Sequence, residues 1–293
     1  MRLVIFGAGY SGKAIGQSFA ENGFVVHGTT RSPDKADGLL SHHITPLVFD
    51  GTRFDDDTLN ALSHATHLVQ SIAPGADGDP VLRLSRGDLK ALMPKLVWTA
   101  YLSTVGVYGD HGGDWVNEEA PLKPVSKRSK ERVEAEEGWI AAARSAGVPL
   151  AILRLSGIYG PGRNAFVNLA QGTARRLIKA EQVFNRIRVE DIAAASLFLA
   201  KRKADGIFNV TDHEPAPPQD VVTEAARLMG IEPPPEQAFE TADLSPMARS
   251  FYGENKRVAN ARIRSMGFAF AYPDFRVSLA DLWVSGRWKS AQH

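Results

Sequence analysis

A glycine-rich segment near the start of the chain is the first feature with a chemical meaning. Gly7, Gly9 and Gly12 follow an apolar run directly and precede a helix-compatible stretch. There the first glycine permits a tight turn, the second lets backbone approach a pyrophosphate, and the third allows close packing of helix on strand. With Tyr10 and Ser11, the segment predicts a dinucleotide-binding loop whose helix amides face phosphates. A turn that only joins two elements is the alternative.

The end of the second apolar run indicates which dinucleotide binds. An acid at this place would accept a hydrogen bond from a ribose 2′-hydroxyl, but the sequence reads Gly-Thr-Thr-Arg-Ser from residue 28. A guanidinium beside hydroxyls suits a 2′-phosphate, so we expect Thr30, Arg31 and Ser32 to contact one. The sequence therefore predicts NADP in preference to NAD, with NAD possible. The alternative is that Arg31 is a solvated loop residue.

Two further apolar runs end in residues that fit the same ligand. Asp50 and Gly51 close the third run, where a carboxylate could accept from an adenine amino group. Ser71, Ile72 and Ala73 close the fourth, where small residues let the chain run against the cofactor. Ligands of open α/β sheets bind outside the carboxyl ends of the strands. The position of these residues, more than their type, makes them candidates.

The elements that must position these residues alternate along the first half of the chain. Apolar runs bounded by turn residues predict strands, and the stretches between them are long enough for helices. The predicted strands are Leu3–Phe6, Phe24–Gly28, Pro46–Phe49, Thr66–Ser71, Leu96–Ser103 and Leu150–Leu155, and the predicted helices are 12–21, 55–63, 80–92 and 127–146. Because parallel neighbours need a crossover connection, this alternation predicts an α/β fold with a doubly wound parallel sheet, the Rossmann fold.

After about residue 160 the alternation of strands and helices becomes less regular, and prolines separate mostly helical patterns. We therefore expect a dinucleotide-binding Rossmann domain over residues 1–160, to which residues 186–210 return. Residues 161–185 and 211–293 would form a smaller substrate-binding cap.

Four segments together resemble one known family. They are the glycine loop, Leu102–Gly109, Arg154–Gly162 and Arg188–Ala193, and their order is similar to that of the extended short-chain dehydrogenase/reductases, the NAD-dependent epimerase/dehydratase superfamily. The resemblance covers nearly the whole chain. It implies an enzyme of the nucleotide-sugar type, in which a Ser or Thr, a Tyr and a Lys act together.

The catalytic residues implied by this resemblance are only partly present. Thr104 falls on the Ser/Thr position and Lys130 on the lysine, which would also hydrogen-bond the nicotinamide ribose. Ser126 occupies the tyrosine position, and an aliphatic hydroxyl is a much poorer acid than a phenol. The chain thus resembles the atypical members of the superfamily. Tyr108 is a substitute acid in one interpretation and a packing residue in the other.

The resemblance also assigns residues after the sixth strand. The stretch from Ser156 to Ile158 would pass the nicotinamide, and Arg163 and Asn164 would face the substrate cleft. A solvent-facing role is an equal alternative for Arg163.

The charges of the predicted helix 127–146 run against its dipole, with basic residues first and acidic residues later. Pairs four residues apart, Lys130 with Glu134 and Arg132 with Glu136, would explain this pattern. Phosphates bound near the helix start are the alternative.

Composition limits the classes of protein to which the chain could belong. With 293 residues, about two folding units are expected. The 34 Lys+Arg against 33 Asp+Glu leave a net charge of +1, which argues against a nucleic-acid partner. No cysteine is present, so we expect a reducing, cytoplasmic location, and neither a metal site nor a membrane span is predicted. We also expect no signal peptide, because the first predicted strand begins at Leu3.

Two functions follow from these observations. The first is an NAD(P)-dependent oxidoreductase or epimerase/dehydratase-like enzyme that transfers hydride to or from a small carbonyl, alcohol or sugar-like substrate. The second is a non-catalytic NAD(P)-binding sensor or regulatory protein, which the missing tyrosine favours. In either case we expect a monomer or a homodimer.

Overall fold

The computed structural model describes residues 1–289 of the chain. Its strands are β1 (Arg2–Phe6), β2 (Val25–Thr30), β3 (Ile44–Val48), β4 (His67–Gln70), β5 (Trp98–Thr104), β6 (Trp115–Val116), β7 (Leu150–Leu155), β8 (Gly157–Tyr159), β9 (Arg176–Ile178), β10 (Arg186–Arg188), β11 (Gly206–Val210), β12 (Glu236–Ala238) and β13 (Arg257–Val258).

The helices are α1 (Tyr10–Glu21), α2 (Asp37–Leu40), α3 (Asp56–Ser63), α4 (Pro80–Ser85), α5 (Leu89–Leu92), α6 (Lys127–Ala146), α7 (Ala165–Ala170), α8 (Val189–Arg202), α9 (Pro218–Met229), α10 (Pro246–Phe251), α11 (Ala261–Ser265) and α12 (Phe275–Val284). None of the helices within residues 1–289 combines the length and the apolarity needed to span a bilayer.

Seven strands form one sheet in the order β11-β7-β5-β4-β1-β2-β3. The pairs from β7 through β3 are all parallel. The chain thus winds outward from β1 in one direction through β2 and β3 and in the other through β4, β5 and β7, as in a Rossmann fold. The predicted doubly wound parallel sheet is confirmed.

The strands are apolar because the sheet is covered. All residues of β4 and β7 are buried, and β5 is buried up to its last residue. Such continuous apolar runs are typical of parallel strands with helices on both faces. The largest buried side chains in this core include Trp98, Trp139 and Tyr101. This packing fixes the strand ends from which the candidate site is built.

The chain divides into two compact units. The first comprises residues 1–107, 124–155 and 192–208, and the second comprises 108–123, 156–191 and 209–293. Residues 108–123, 156–160, 186–191 and 209–210, expected in the Rossmann domain, therefore belong to the second unit. The reason for the first of these is local pairing: β6 pairs with β13, and the amides of His111 and Gly113 donate to the carbonyl oxygen of Asn255.

One predicted helix is divided in two. Residues 80–92 form α4 and α5, because Arg86 and Gly87 adopt left-handed backbone conformations with φ of +52° and +74°. Asp88 then caps the second helix by accepting from the amide of Ala91. In contrast, α6 spans the predicted residues 127–146. Ser126 caps its start, and Gly147 ends it with φ of +66°.

A buried ion pair joins α6 to β7. Arg154 donates from Nη2 to Glu136 Oε2 at 2.7 Å and from Nε to Oε1 at 3.1 Å, and both side chains are 3% exposed. Ser103 on β5 donates its hydroxyl to the same Oε1 at 2.5 Å. The predicted pair between Arg132 and Glu136 is therefore wrong. Glu136 lies on the buried face of α6, whereas Arg132 donates to the carbonyl oxygen of Leu102 at 2.6 Å.

Replacing Glu136 tests this link. Glu136→Ala leaves the guanidinium of Arg154 buried without its carboxylate, so we expect the free energy of unfolding to fall by about 3–5 kcal/mol in urea denaturation. Glu134→Ala, at an exposed position of the same helix, is the matched control and should change it by less than about 0.5 kcal/mol. Equal losses in the two variants would contradict the role of the ion pair.

Candidate functional site

The turn after β1 is fixed by the end of β2. Gly7 has a φ of +83°, which is strained for residues with a side chain. Its amide donates to Thr29 Oγ1 at 2.8 Å, and the amide of Ala8 donates to the Thr29 carbonyl oxygen at 2.9 Å. A Cβ atom at Gly7 would lie 2.9 Å from Ile72 Cγ1. Both the turn and this close approach therefore require glycine here.

Gly12 is closely packed, whereas Gly9 faces open space. A Cβ atom at Gly12 would lie 2.7 Å from the carbonyl oxygen of Gly7, so α1 packs directly on the turn. A Cβ atom at Gly9 would meet no atom within 4 Å. Gly9 is the N-cap of α1, which has no side-chain cap and no acid in its first turn. Because a helix N-terminus carries partial positive charge, the open space beside Gly9 suits an anion such as a pyrophosphate.

The segment after β2 presents a free cation. Arg31 is exposed and forms no ion pair with any residue of 1–289. Thr30 donates its hydroxyl to the carbonyl oxygen of Ser32 at 3.4 Å. A hydrogen bond from the Ser32 side chain lowers the pKa of Asp34. The acid nearest to Arg31 in the sequence is thus engaged by Ser32, and the Arg31 guanidinium remains available to a ligand.

Asp50 follows β3 in an exposed turn. Its Oδ1 accepts from the amide of Thr52 at 2.8 Å and from the Thr52 hydroxyl at 2.6 Å. These bonds lower the pKa of Asp50, so the carboxylate is ionised near neutral pH. Gly51 has a φ of +92°, and its carbonyl oxygen accepts from Arg83 Nη2 at 2.6 Å. The turn holds Asp50 by one oxygen and leaves the other for a donor.

The loop after β4 is held by a buried carboxylate. The amide of Ser71 donates to the carbonyl oxygen of Phe6 at 2.9 Å, and the amide of Ile72 donates to Gln70 Oε1 at 3.1 Å. Gln70 in turn donates to Asp79 Oδ2 at 2.7 Å, and Ala73, farther along the loop, is exposed.

Asp79 connects this loop to two helices. Its Oδ1 accepts from the amides of Val81 and Leu82 at the start of α4, and its Oδ2 also accepts from Trp139 Nε1 at 3.2 Å. Sequence reasoning missed this residue. The Asp-Pro pair at 79–80 is a helix-start signal, but nothing in the sequence indicates that Gln70 and Trp139 share the carboxylate.

A second group of hydroxyls lies where β5 ends and α6 begins. Thr104 Oγ1 accepts from the amide of Gly106 at 3.1 Å. A Cβ atom at Gly106 would lie 3.4 Å from Thr104 Oγ1 and 3.1 Å from Ser129 Oγ. Ser129 Oγ is 2.9 Å from Ser126 Oγ, which accepts from the Ser129 amide. Lys130 is exposed in the first turn of α6. The fold thus brings Thr104 and Ser126 to one place, with the unpredicted Ser129 between them.

Tyr108, the alternative acid, lies in the second unit. It is fully buried, and its hydroxyl donates to Asn209 Oδ1 at 2.7 Å. This bond favours the packing interpretation.

The residues predicted to pass the nicotinamide also lie in the second unit. Ser156 is buried, and its Oγ has no partner among residues 1–289. Ile158 on β8 pairs with Ile187 on β10.

The two predicted substrate residues differ in exposure. Arg163 is exposed. Asn164 is the N-cap of α7: its Oδ1 accepts from the amide of Val167 at 3.2 Å, and its Nδ2 donates to the carbonyl oxygens of Gly160 and Trp288. Its whole amide is therefore used in capping and in holding the chain after α12, rather than offered to a substrate.

Comparison with known proteins indicates the family of the chain. Residues 95–211, from before β5 through β11, match the model of the NAD dependent epimerase/dehydratase family. A functionally unknown conserved protein from Silicibacter pomeroyi DSS has a solved structure that is 43% identical in sequence, with a TM-score of 0.88 over 97% of this chain and 99% of that one. The chain belongs to the same family as that protein.

Two other relatives extend the comparison. Protein YeeZ of Escherichia coli strain K12 is 29% identical over 287 residues, which are 93% of this chain and 97% of YeeZ. The human epimerase family protein SDR39U1 (isoform 2), solved with NADPH, has a TM-score of 0.71 over 97% of this chain and 99% of its own, at 16% identity. At that identity the human structure supports the fold alone, and the fold agrees with the resemblance to the extended short-chain dehydrogenase/reductases.

Two alanine substitutions separate the roles of the loop glycines. Gly12→Ala places a methyl group against the backbone of Gly7, so we expect the free energy of unfolding to fall by about 1–3 kcal/mol. Gly9→Ala enters open space at a φ of −80° and should leave stability within about 0.5 kcal/mol of the wild type. Thermal and urea unfolding measure both. A larger loss in Gly9→Ala than in Gly12→Ala would show that the packing described for α1 is incorrect.

Proposed function

We propose that the first unit binds NADP at the glycine loop and that the chain is an oxidoreductase or epimerase/dehydratase-like enzyme acting on a small carbonyl, alcohol or sugar-like substrate. The observation that carries the proposal is the open space at Gly9, in front of a helix that has no side-chain cap. A Cβ atom would project into that space, as a pyrophosphate would. The residues present therefore fit the cofactor.

The strand ends supply the rest of the cofactor site in this proposal. Phosphates would accept from amides of the Gly9–Gly12 segment. The hydroxyls of Thr30 and Ser32 and the unpaired guanidinium of Arg31 would hold the 2′-phosphate, which would make NADP the preferred cofactor. Asp50 would accept from the adenine amino group beside Gly51. The loop Ser71–Ala73, which already touches Gly7, would line the dinucleotide.

The chemistry would take place at the hydroxyls of β5 and α6. When bound, the cofactor supplies or accepts a hydride. Thr104 Oγ1 accepts from the Gly106 amide, so its own proton is left for the reacting oxygen of a substrate. Lys130 would hydrogen-bond the nicotinamide ribose. Ser126, at the position that the resemblance gives to tyrosine, caps α6 through its Oγ and holds no readily transferable proton.

The capping role of Ser126 favours a second candidate function. A chain that binds the dinucleotide but has no phenol at this position could sense the cofactor or regulate a partner without catalysis. A cytoplasmic location and a monomeric or homodimeric state remain part of both proposals.

Replacing Arg31 tests the proposed preference for NADP. Arg31→Gln should raise the dissociation constant for NADPH by roughly tenfold or more, because a charge-assisted bond to phosphate is lost, and leave that for NADH within about twofold. Fluorescence titration of each nucleotide measures this. Arg144→Gln, an exposed arginine near the end of α6, is the control. Equal or tighter binding of NADH by the wild type would refute the NADP preference.

Replacing the hydroxyls tests catalysis. With NADPH and a panel of aldehydes, ketones and nucleotide sugars, Thr104→Ala should lower kcat by about 10²-fold or more, whereas Thr104→Ser should retain most of it. Absorbance of the reduced nicotinamide follows turnover, and product analysis detects redox-neutral epimerisation.

Ser126→Tyr should raise turnover at a cost of about 1 kcal/mol in helix capping. Tight binding without turnover, in the wild type and in Ser126→Tyr alike, would support the sensor instead.

A further inference from the structure

Three polar side chains to which no function has been assigned above come together in the second unit. β8 and β10 pair in parallel, with Arg186 opposite Gly157 and Arg188 opposite Tyr159. Because alternate residues of a strand share a face, Arg186 and Tyr159 lie on the same face of this pair. The amide of Asp212, just after β11, donates to the carbonyl oxygen of Arg186 at 2.8 Å. Arg186, Tyr159 and Asp212 are thus close electrostatic neighbours.

Each of these side chains has unused hydrogen-bonding capacity. Asp212 is 1% exposed, and its Oδ2 has no partner among residues 1–289. The buried hydroxyl of Tyr159 likewise makes no bond of acceptable geometry, although Ser278 lies nearby.

Arg186 adds further unused donors. Its Nη1 donates to the carbonyl oxygens of Phe184 and Ala216, whereas its Nε and Nη2 donate to no residue of the described part of the chain. Buried polar groups without partners are rare in native proteins. Here two of them, on Asp212 and Tyr159, adjoin the half-buried guanidinium of Arg186.

The protonation of the cluster decides what it can bind. Burial raises the pKa of Asp212 to about 8 against the lowering effect of Arg186, so the carboxyl group is neutral at pH 7. Burial also raises the pKa of Tyr159, which stays a phenol. At neutral pH the cluster therefore carries one positive charge, on Arg186, and two uncharged O–H donors. The other charged groups whose fields reach these three residues are Arg188, Glu214, Asp220 and Asp274.

We propose that Arg186, Tyr159 and Asp212 form a binding site for the carboxylate of a small organic acid. The guanidinium would supply the charge and parallel N–H donors, and the phenol and the carboxyl group would each donate one hydrogen bond.

The charge balance favours a monoanion. One guanidinium matches one carboxylate, whereas a phosphate dianion would bring a second negative charge toward Glu214, Asp220 and Asp274. The proposal goes beyond the function proposed above. It does not depend on dinucleotide binding, because all of its residues belong to the second unit.

Calorimetric titration of the full chain at pH 6.5 tests the site. The probes are glycolate, lactate and glucuronate, their uncharged amides as matched controls, and inorganic phosphate. We expect the carboxylates to bind and the amides not to. Arg186→Gln should weaken binding by at least roughly tenfold, and Tyr159→Phe by several-fold, with NADPH affinity unchanged in both. Circular dichroism establishes first that each variant is folded.

The pH dependence supplies an independent readout. Above about pH 8 the wild type should lose carboxylate affinity by up to roughly tenfold per pH unit, because ionised Asp212 then repels the ligand and pairs with Arg186. Asp212→Asn keeps a donor and cannot ionise, so its affinity should stay level from pH 6.5 to 9.

Three results would overturn the proposal. They are no binding of any carboxylate, equal binding by Arg186→Gln and by Tyr159→Phe compared with the wild type, and tighter binding of phosphate than of every monocarboxylate. None of them bears on NADPH binding, so failure here is distinguishable from failure of the proposed function.

Discussion

The close approach of α1 to the end of β1 is the constraint on which the rest of the first unit depends. Because Gly12 has no side chain, the helix packs directly on the turn; a Cβ atom at this position would lie only 2.7 Å from the carbonyl oxygen of Gly7. That contact aims the helix N-terminus at open space instead of at protein. Because the hydrogen bonds from Gly7 and Ala8 to Thr29 tie the same turn to β2, one local structure sets the positions of both Gly9 and Arg31 in the candidate site.

The two halves of the candidate site are stabilised differently. The glycine loop is built from backbone and lacks side chains by necessity. The hydroxyls at Thr104 and Ser126 depend instead on how α6 sits on β5. The links between that helix and the sheet include the hydrogen bond from Arg132 to the carbonyl oxygen of Leu102. They also include the ion pair between Glu136 and Arg154, in which Glu136 accepts from Ser103 as well. Breaking a buried pair is costly, so this part of the site has little freedom to rearrange.

Sequence patterns predicted the sheet well because burial and periodicity are local properties. The apolar run Leu150–Leu155 and the helix over residues 127–146 were predicted with their observed bounds. Contacts between distant residues could not be predicted. Glu136 looked like a partner for Arg132, and only the fold shows that it faces Arg154. Asn164 looked available to a substrate, and only the position of Trp288 shows that its amide is occupied.

The shared carboxylate of Asp79 has a consequence for observing this protein. One oxygen accepts from both Gln70, which holds the loop after β4, and the indole of Trp139 on α6. A displacement of that loop alters the hydrogen bond to the indole, to which tryptophan emission is sensitive. Trp139 is therefore an intrinsic optical reporter of loop position, built into the core without any label.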